Sequence, residues 1–334
     1  MSSRHSNNII NNSSDYLETP GDRNVYYDDS ASFSATFGDG YTFRCMIEYL
    51  YASNKEGSFI FSDKFIKYIP GVDTDENRHV IIPVLNDVII DTSWLVDYLY
   101  DSEYPEFRIR VKLETIRSIT RDIQKKNSLC MYKLSGDSTI YFEIIGSESA
   151  SDNQSNLSHL KPIRTLVNEE FSMDEYQYQP ESEPNCTIMA TAFSRACSSF
   201  SHITCDQVDI RGYPNGFTIV AKIPTETAGK AFRFGTVTDK ELSLSVNDNV
   251  AESNNSGLVI NLIDDEDDVS DYQPHKIPHV CIPTIVLKSL SKIGNLSSNS
   301  SIKIFMIEGS PLKIIAYIGN YGTIRIYVRN TNPK

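Results

Sequence analysis

The chain contains no run of the ~18 apolar residues that a bilayer-spanning helix needs, so no membrane span is expected. Its first residues, MSSRHSNNIINNSSD, lack the apolar core of a secretory signal. The six cysteines (Cys45, Cys130, Cys186, Cys197, Cys205 and Cys281) form no Cys-x-x-Cys pair and sit mostly among apolar residues. That is the pattern of buried free thiols in a reducing compartment, not of a disulfide framework or a zinc site. No phosphate-cradling P-loop and no GxGxxG occur. Positive charge is also short: 31 Lys and Arg face 44 Asp and Glu, a net charge of −13. Phosphate binding needs concentrated cations, so the total speaks against nucleic acid unless charge is segregated by face.

What is present is a chain of 334 residues, 40% hydrophobic and 22% charged, enough for two or three domains with a sizeable core. Residues 1–31 are rich in Asn, Ser and Asp and read as a disordered tail. Phe43, Met46, Ile47 and Leu50 make an i, i+3, i+4, i+7 stripe, which predicts a helix over 42–51. The runs SFIFSDKFIKYI and HVIIPVLNDVII are strand-like. Glu106–Leu113 alternates, with Phe107, Ile109, Val111 and Leu113 on one face. A second helix is expected over Leu113–Lys126, with Arg117, Arg121 and Lys125 as one basic stripe at i, i+4, i+8. A hairpin, SLCMYKL and STIYFEII, closes this half.

After the polar stretch 147–158 the pattern returns. Ala190–Ile203 is helical, with Phe193, Ala196, Cys197 and Phe200 apolar and Arg195 on another face. A hairpin over 206–223 turns at Tyr213–Gly216, and the strand KAFRFGTV follows. Pro283–Ile293 is a fourth short helix with Lys288 and Lys292 exposed. A three-strand meander ends the chain. Each half thus has two short amphipathic helices separated by antiparallel strands, a repeat of architecture and not of letters. The fold class expected is α+β, with helices on one side of antiparallel sheets.

Catalytic constellations are weak. Ser289-Leu-Ser-Lys292 matches Ser-x-x-Lys without its partner motifs. His275 and His279 are four apart, but Pro274 and Pro278 forbid a helical ligand pair. The acidic stretches Asp73–Glu76 and Asp264–Asp268 lack the glycine and spacing of a calcium loop. An enzyme is the poorer reading, and no cofactor or metal is expected. The basic helix stripes carry more weight. A single stripe is ordinarily a solvated face. Four helices sharing one side of a sheet would converge their cations and hold DNA through phosphates alone.

The ordered set of motifs resembles the proliferating cell nuclear antigen family of DNA sliding clamps. The C-terminal match is Pro283–Lys292, Asn295–Ser298, Ser310-Pro311-Leu312 and Gly322–Val328. Met189–Ile203 with the hairpin after it is similar to the family's second-domain helix and hairpin. Phe33–His79, ending in Val72-Asp73 and His79-Val80, is similar to its opening segment. The resemblance spans about 270 residues, and it implies the DNA clamp fold: two similar domains per chain, each of antiparallel sheets with two short helices on the inner face. The expected division is a polar tail over 1–31, an N-terminal clamp domain over 32–147, an interdomain connector over 148–180 and a C-terminal clamp domain over 181–334.

The resemblance further implies a homotrimeric ring around double-stranded DNA. Such a ring is a polymerase processivity factor and a scaffold for replication and repair proteins, and it is placed on DNA by a clamp loader. No membrane is involved. The alternative is a clamp-fold monomer or hetero-oligomer subunit in viral transcription or in checkpoint or repair work. The implied location is the nucleus or, for a viral chain, the host nucleus or a cytoplasmic replication site. By position, Arg44, Arg117, Arg121, Arg195, Lys288 and Lys292 match inward basic positions or their neighbours, and Lys125 joins them from the stripe. Cys45, Tyr51 and Ser198 stand where the family usually has Lys or Arg, which implies a less positive hole. Val72, His79, Phe171, Met173, Pro311 and Tyr327 would line a pocket for partner peptides under the connector. Ring closure would pair an edge strand at Lys230–Thr236 with an edge strand near Leu160–Leu166 of the next chain.

Overall fold

A computed structural model describes residues 31–71, 84–101, 105–135, 139–146, 161–164, 183–200, 203, 205–213, 215–222, 228–235, 258–263, 278–297 and 299–331. The described chain begins with β1 (Ala31–Phe37), α1 (Gly40–Ser53), β2 (Glu56–Ser62), β3 (Phe65–Pro70), β4 (Val84–Asp91), β5 (Asp97–Tyr100) and β6 (Glu106–Lys112). α2 (Leu113–Thr120), β7 (Ser128–Leu134), β8 (Thr139–Ile145) and β9 (Lys161–Arg164) follow. The same order then recurs. β10 (Cys186–Met189), α3 (Ala190–Phe200), β11 (Gln207–Tyr213), β12 (Gly216–Lys222), β13 (Ala228–Gly235), β14 (Leu258–Ile263) and β15 (His279–Pro283) come first. α4 (Thr284–Leu290), β16 (Ser301–Phe305), β17 (Leu312–Ile318) and β18 (Gly322–Val328) complete it. Strand, helix, five strands, helix, three strands is written twice.

The strands form three antiparallel sheets, ordered β5-β1-β7-β8-β9, β14-β13-β12-β11-β15 and β10-β16-β17-β18-β4-β3-β2-β6. The third sheet crosses from one half to the other at the β18–β4 ladder, which runs from Gly322↔Ile90 to Val328↔Val84. At its head only glycine fits, since a Cβ on Gly322 would lie 2.0 Å from the Ile89 carbonyl oxygen. Period-two alternation sets which residues face inward. Leu312, Ile314, Ala316 and Ile318 of β17 are buried, as are Val84, Val88 and Ile90 of β4.

The helices cover the inner faces of these sheets. Asp39 caps α1, its carboxylate accepting from the Thr42 backbone N–H at 3.1 Å and from the Thr42 hydroxyl at 2.7 Å. The stripe Phe43, Met46, Ile47 and Leu50 is almost fully buried, worth ~1.5–3 kcal/mol per side chain against exposure. One apolar cluster runs through both halves, from Phe33 to Val328.

Four expectations change. The run SFIFSDKFIKYI is a hairpin and not one strand, because Ser62 turns the chain: its hydroxyl accepts from the Phe65 N–H and donates to the Phe65 carbonyl. α2 stops at Thr120, six residues short of Lys126. There the Thr120 hydroxyl donates back to the Ile116 carbonyl at 3.0 Å, and the chain turns at Arg121 and Asp122. α4 is shorter than Pro283–Ile293 and continues as a 3₁₀ turn over Ser291–Asn295. The strand Ala228–Gly235 is not an edge, because β14 pairs along its outer side over six residues.

Candidate nucleic-acid interface

The four helices form a row: α2 packs on α1, α1 on α4 and its 3₁₀ continuation, and α4 on α3. Each inserts its apolar stripe into the core, so the polar faces share the side turned away from the sheets. Side-chain contacts tie the row together. The Ser194 hydroxyl of α3 donates to the Ser291 carbonyl, and a Cβ on Gly294 would meet Ser194 at 2.8 Å.

On α1 the polar stripe reads Tyr41, Arg44, Glu48, Tyr51, and all four are half-buried. The Arg44 guanidinium donates to the Ile123 carbonyl at 2.9 Å and lies 5.7 Å from the Tyr41 ring centre. Lys125 sits 5.8 Å from that same ring. At the other end, Lys55 and Arg117 flank the Tyr51 ring at 4.5 and 4.7 Å. Between them, the Glu48 carboxylate accepts from Arg117 Nε at 3.1 Å and lies 3.7 Å from Lys292 Nζ. The Tyr41 hydroxyl is held above its ordinary pKa, first by the neighbouring Cys45 and then by burial.

The seven cations singled out from the sequence therefore fall into two groups. Arg121, Lys125, Arg195 and Lys288 are exposed; Arg121 has only a loose contact, 3.8 Å, with its neighbour Asp122. Arg44, Arg117 and Lys292 are half-buried and engaged with other groups of the chain. Arg121 and Lys125 both lie beyond Thr120, so the three-residue stripe is one residue of the last helical turn, Arg117, the C-cap Arg121 and Lys125 from the following turn. Tyr41, Glu48 and Lys55 were not singled out. The signal for Glu48 was available, since it falls four residues after Arg44 on the same face.

Other candidates resolve differently. Ser289 is buried and its hydroxyl donates to the Val286 carbonyl at 2.8 Å, an ordinary helix back-bond. His279 lies 3.8 Å from Asp209; His275 lies outside the described residues. Among the described residues no group of three or more His, Cys, Asp or Glu could hold a metal ion. Of the peptide-pocket residues, Val72, His79, Phe171 and Met173 lie outside the described residues, as do the acidic stretches Asp73–Glu76 and Asp264–Asp268. Pro311 and Tyr327 are described. Pro311 is half-buried and leads into β17, while Tyr327 of β18 pairs with Lys313 of β17 and Leu85 of β4, so adjacent strands bring the two to one sheet end.

No protein-family model matches the chain, and no curated protein matches its sequence. Solved structures do. The proliferating cellular nuclear antigen (PCNA) of Entamoeba histolytica aligns over 90% of this chain and 100% of its own, at 13% identity and a TM-score of 0.62. The PCNA2–PCNA3 complex of Sulfolobus tokodaii aligns over 89% and 99%, again at 13% identity and 0.62. The chain has a PCNA-like clamp fold. The clamp fold accounts for the doubled element order and for the row of helices backed by antiparallel sheets. At 13% identity the likeness is one of architecture, and the low figure fits a divergent sequence.

Proposed function

We propose that the chain is a DNA sliding clamp: a ring-forming, non-catalytic scaffold that encircles duplex DNA and tethers a DNA polymerase and other clamp-binding proteins. The observation that carries this reading is the helix row. All four helices turn cationic residues (Arg44, Arg117, Arg121, Arg195, Lys288) to the side opposite the sheets, in a chain whose net charge is −13. Such a surface touches phosphates without reading bases. Three of the seven cations singled out, Arg44, Arg117 and Lys292, are engaged internally, so its grip is weak and its salt slope shallower than a fully free set would give. Encirclement supplies what affinity does not, because a closed ring holds DNA at high effective concentration and still slides.

The ladder between β18 and β4 supports the ring geometry, because it already joins one half to the next by edge-to-edge pairing. Repeating that joint between chains, three copies would close a ring lined by twelve short helices around a hole of roughly 30–35 Å, given helix diameters of ~10 Å. A loader would open the ring onto DNA, and partner peptides would dock beside Pro311 and Tyr327. Light scattering on the eluting protein, with particle images, tests this: a trimer-sized ring is the expected result, and a clean monomer at tens of micromolar sinks it. A second reading, a clamp-fold monomer or a subunit of a mixed ring, is favoured by one observation, the covered outer side of β13.

A further inference from the structure

The two halves repeat the same element order but place one repeat-equivalent strand on different edges. In the first half, β5 pairs with β1, from Phe33↔Tyr100 to Thr36↔Asp97. The outer side of β4 then carries β18. In the second half the equivalent strand, β14, pairs with β13, from Ala228↔Ile263 to Arg233↔Leu258. β13 is the counterpart of β4, so β14 occupies the side on which the internal joint seats another strand. Conversely β10, the counterpart of β1, pairs with β16 on one side and with no second strand among the described residues.

The tethers differ in the same sense. β5 follows β4 after residues 92–96, and that link is pinned: the Thr92 N–H donates to the Lys64 carbonyl at 3.2 Å and the Val96 N–H to the Thr36 carbonyl at 2.9 Å. β14 is joined to β13 through residues 236–257 and to β15 through residues 264–277. At ~3.3 Å per extended residue either link reaches far beyond one strand spacing. β10 and β13 also approach one another where their sheets meet, so the alternative edge is close.

We propose that β14 is an exchangeable cap. In the free chain it covers β13, and on assembly it moves to the open side of β10, the place its counterpart β5 holds, while β9 of a second copy of this chain takes the vacated side of β13. The exchange breaks one ladder, β13 with β14, and forms two, β14 with β10 and β9 of the second copy with β13, so assembly repays the strand pairing it gives up. It blocks β13 against unrelated strands until the correct one arrives. The inference rests on the ring reading and adds the step that makes the ring possible.

The test is a reversible lock. Lys230 and Asn261 are register partners, and antiparallel partners fall within disulfide reach. The full-length Lys230→Cys/Asn261→Cys chain, oxidised, is expected to stay monomeric in light scattering, and reduction is expected to restore assembly. A control lock at Thr218 and Arg233, partners across β12 and β13, is expected to assemble normally. Oxidised Lys230→Cys/Asn261→Cys chain assembling as well as the reduced chain overturns the exchange. A synthetic peptide of residues 159–166, HLKPIRTL, separates this from failure of the ring. Peptide that binds the unlocked chain and not the locked one, with amide protection rising at residues 186–189, supports the exchange even where no ring forms. Equal binding to both overturns it.

Discussion

Lys292 Nζ donates to the backbone carbonyl of Glu48 at 3.2 Å and lies 3.7 Å from the same residue's carboxylate, joining the 3₁₀ turn of the second half to α1 of the first. Arg117 Nε takes the same carboxylate oxygen at 3.1 Å. One acid thus engages two of the cations that the clamp reading turns toward DNA. Glu48→Gln keeps the shape and removes the charge. Duplex binding should tighten, and the slope of log affinity against log salt should steepen by about one to two, because each phosphate neutralised contributes ~0.9. Unfolding free energy should fall by under about 1 kcal/mol, since all three side chains remain partly exposed. An unchanged salt slope in anisotropy titrations would show that Arg117 and Lys292 do not reach phosphate.

Arg121 and Lys288 give the complementary test. Both are exposed, on α2's end and on α4, in different halves. Arg121→Glu with Lys288→Glu should lower polymerase processivity on primed circular DNA severalfold, while the thermal midpoint stays put because surface changes of this kind cost within about 0.5 kcal/mol. Full processivity in the double variant would count against DNA running past the helices.

A buried polar chain fixes α1 to the sheet that the two halves share. The Tyr49 hydroxyl donates to Asn86 Oδ1 at 3.0 Å, and Asn86 Nδ2 donates to Asn54 Oδ1 at 2.9 Å. All three residues are buried, and Asn86 pairs with Ile326 across the β4–β18 joint. Asn86→Ala orphans a partner at each end and should cost roughly 2–4 kcal/mol in urea unfolding, whereas Tyr49→Phe should cost about 1–2 kcal/mol. Equal costs for the two would mean that Asn86 does not link its neighbours.

Much of this architecture was legible because it is local. The alternation of Leu312, Ile314, Ala316 and Ile318, and the stripe Phe43, Met46, Ile47, Leu50, carry the period of a strand and of a helix in their spacing. The doubled helix–strand order followed from them. Pairings between distant residues were not legible. Glu48 and Lys292 are 244 positions apart, and no periodicity states that an acid on one helix will meet a cation on another. The end of α2 depended on a Thr120 back-bond, and that moved Lys125 off the stripe while still bringing it to Tyr41. Edges were the hardest. A strand's own alternation says which face is buried, not which neighbour lies beside it, so Lys230–Thr236 was expected as an edge while β14 covers β13.

The same burial makes the chain sensitive to alkali. Cys281 of β15 lies across from Asp209 of β11, its Sγ donating to Gln207 Oε1 at 3.3 Å. Burial, then the Asp209 carboxylate, pushes its thiol up to about 11. Cys197 and the hydroxyls of Tyr49 and Tyr68 are raised by burial in the same direction. In the unfolded chain a thiol loses its proton near pH 8.5. Between that pH and about 11 the native state holds protons that the unfolded state has released, so stability is complete below about 8.5 and is lost as pH rises. Urea midpoints should therefore fall across this window, and Cys281→Ser should flatten the fall by up to about 1.4 kcal/mol per pH unit, the contribution of one proton. An unchanged slope in the serine variant would show that the Cys281 thiol titrates alike in both states.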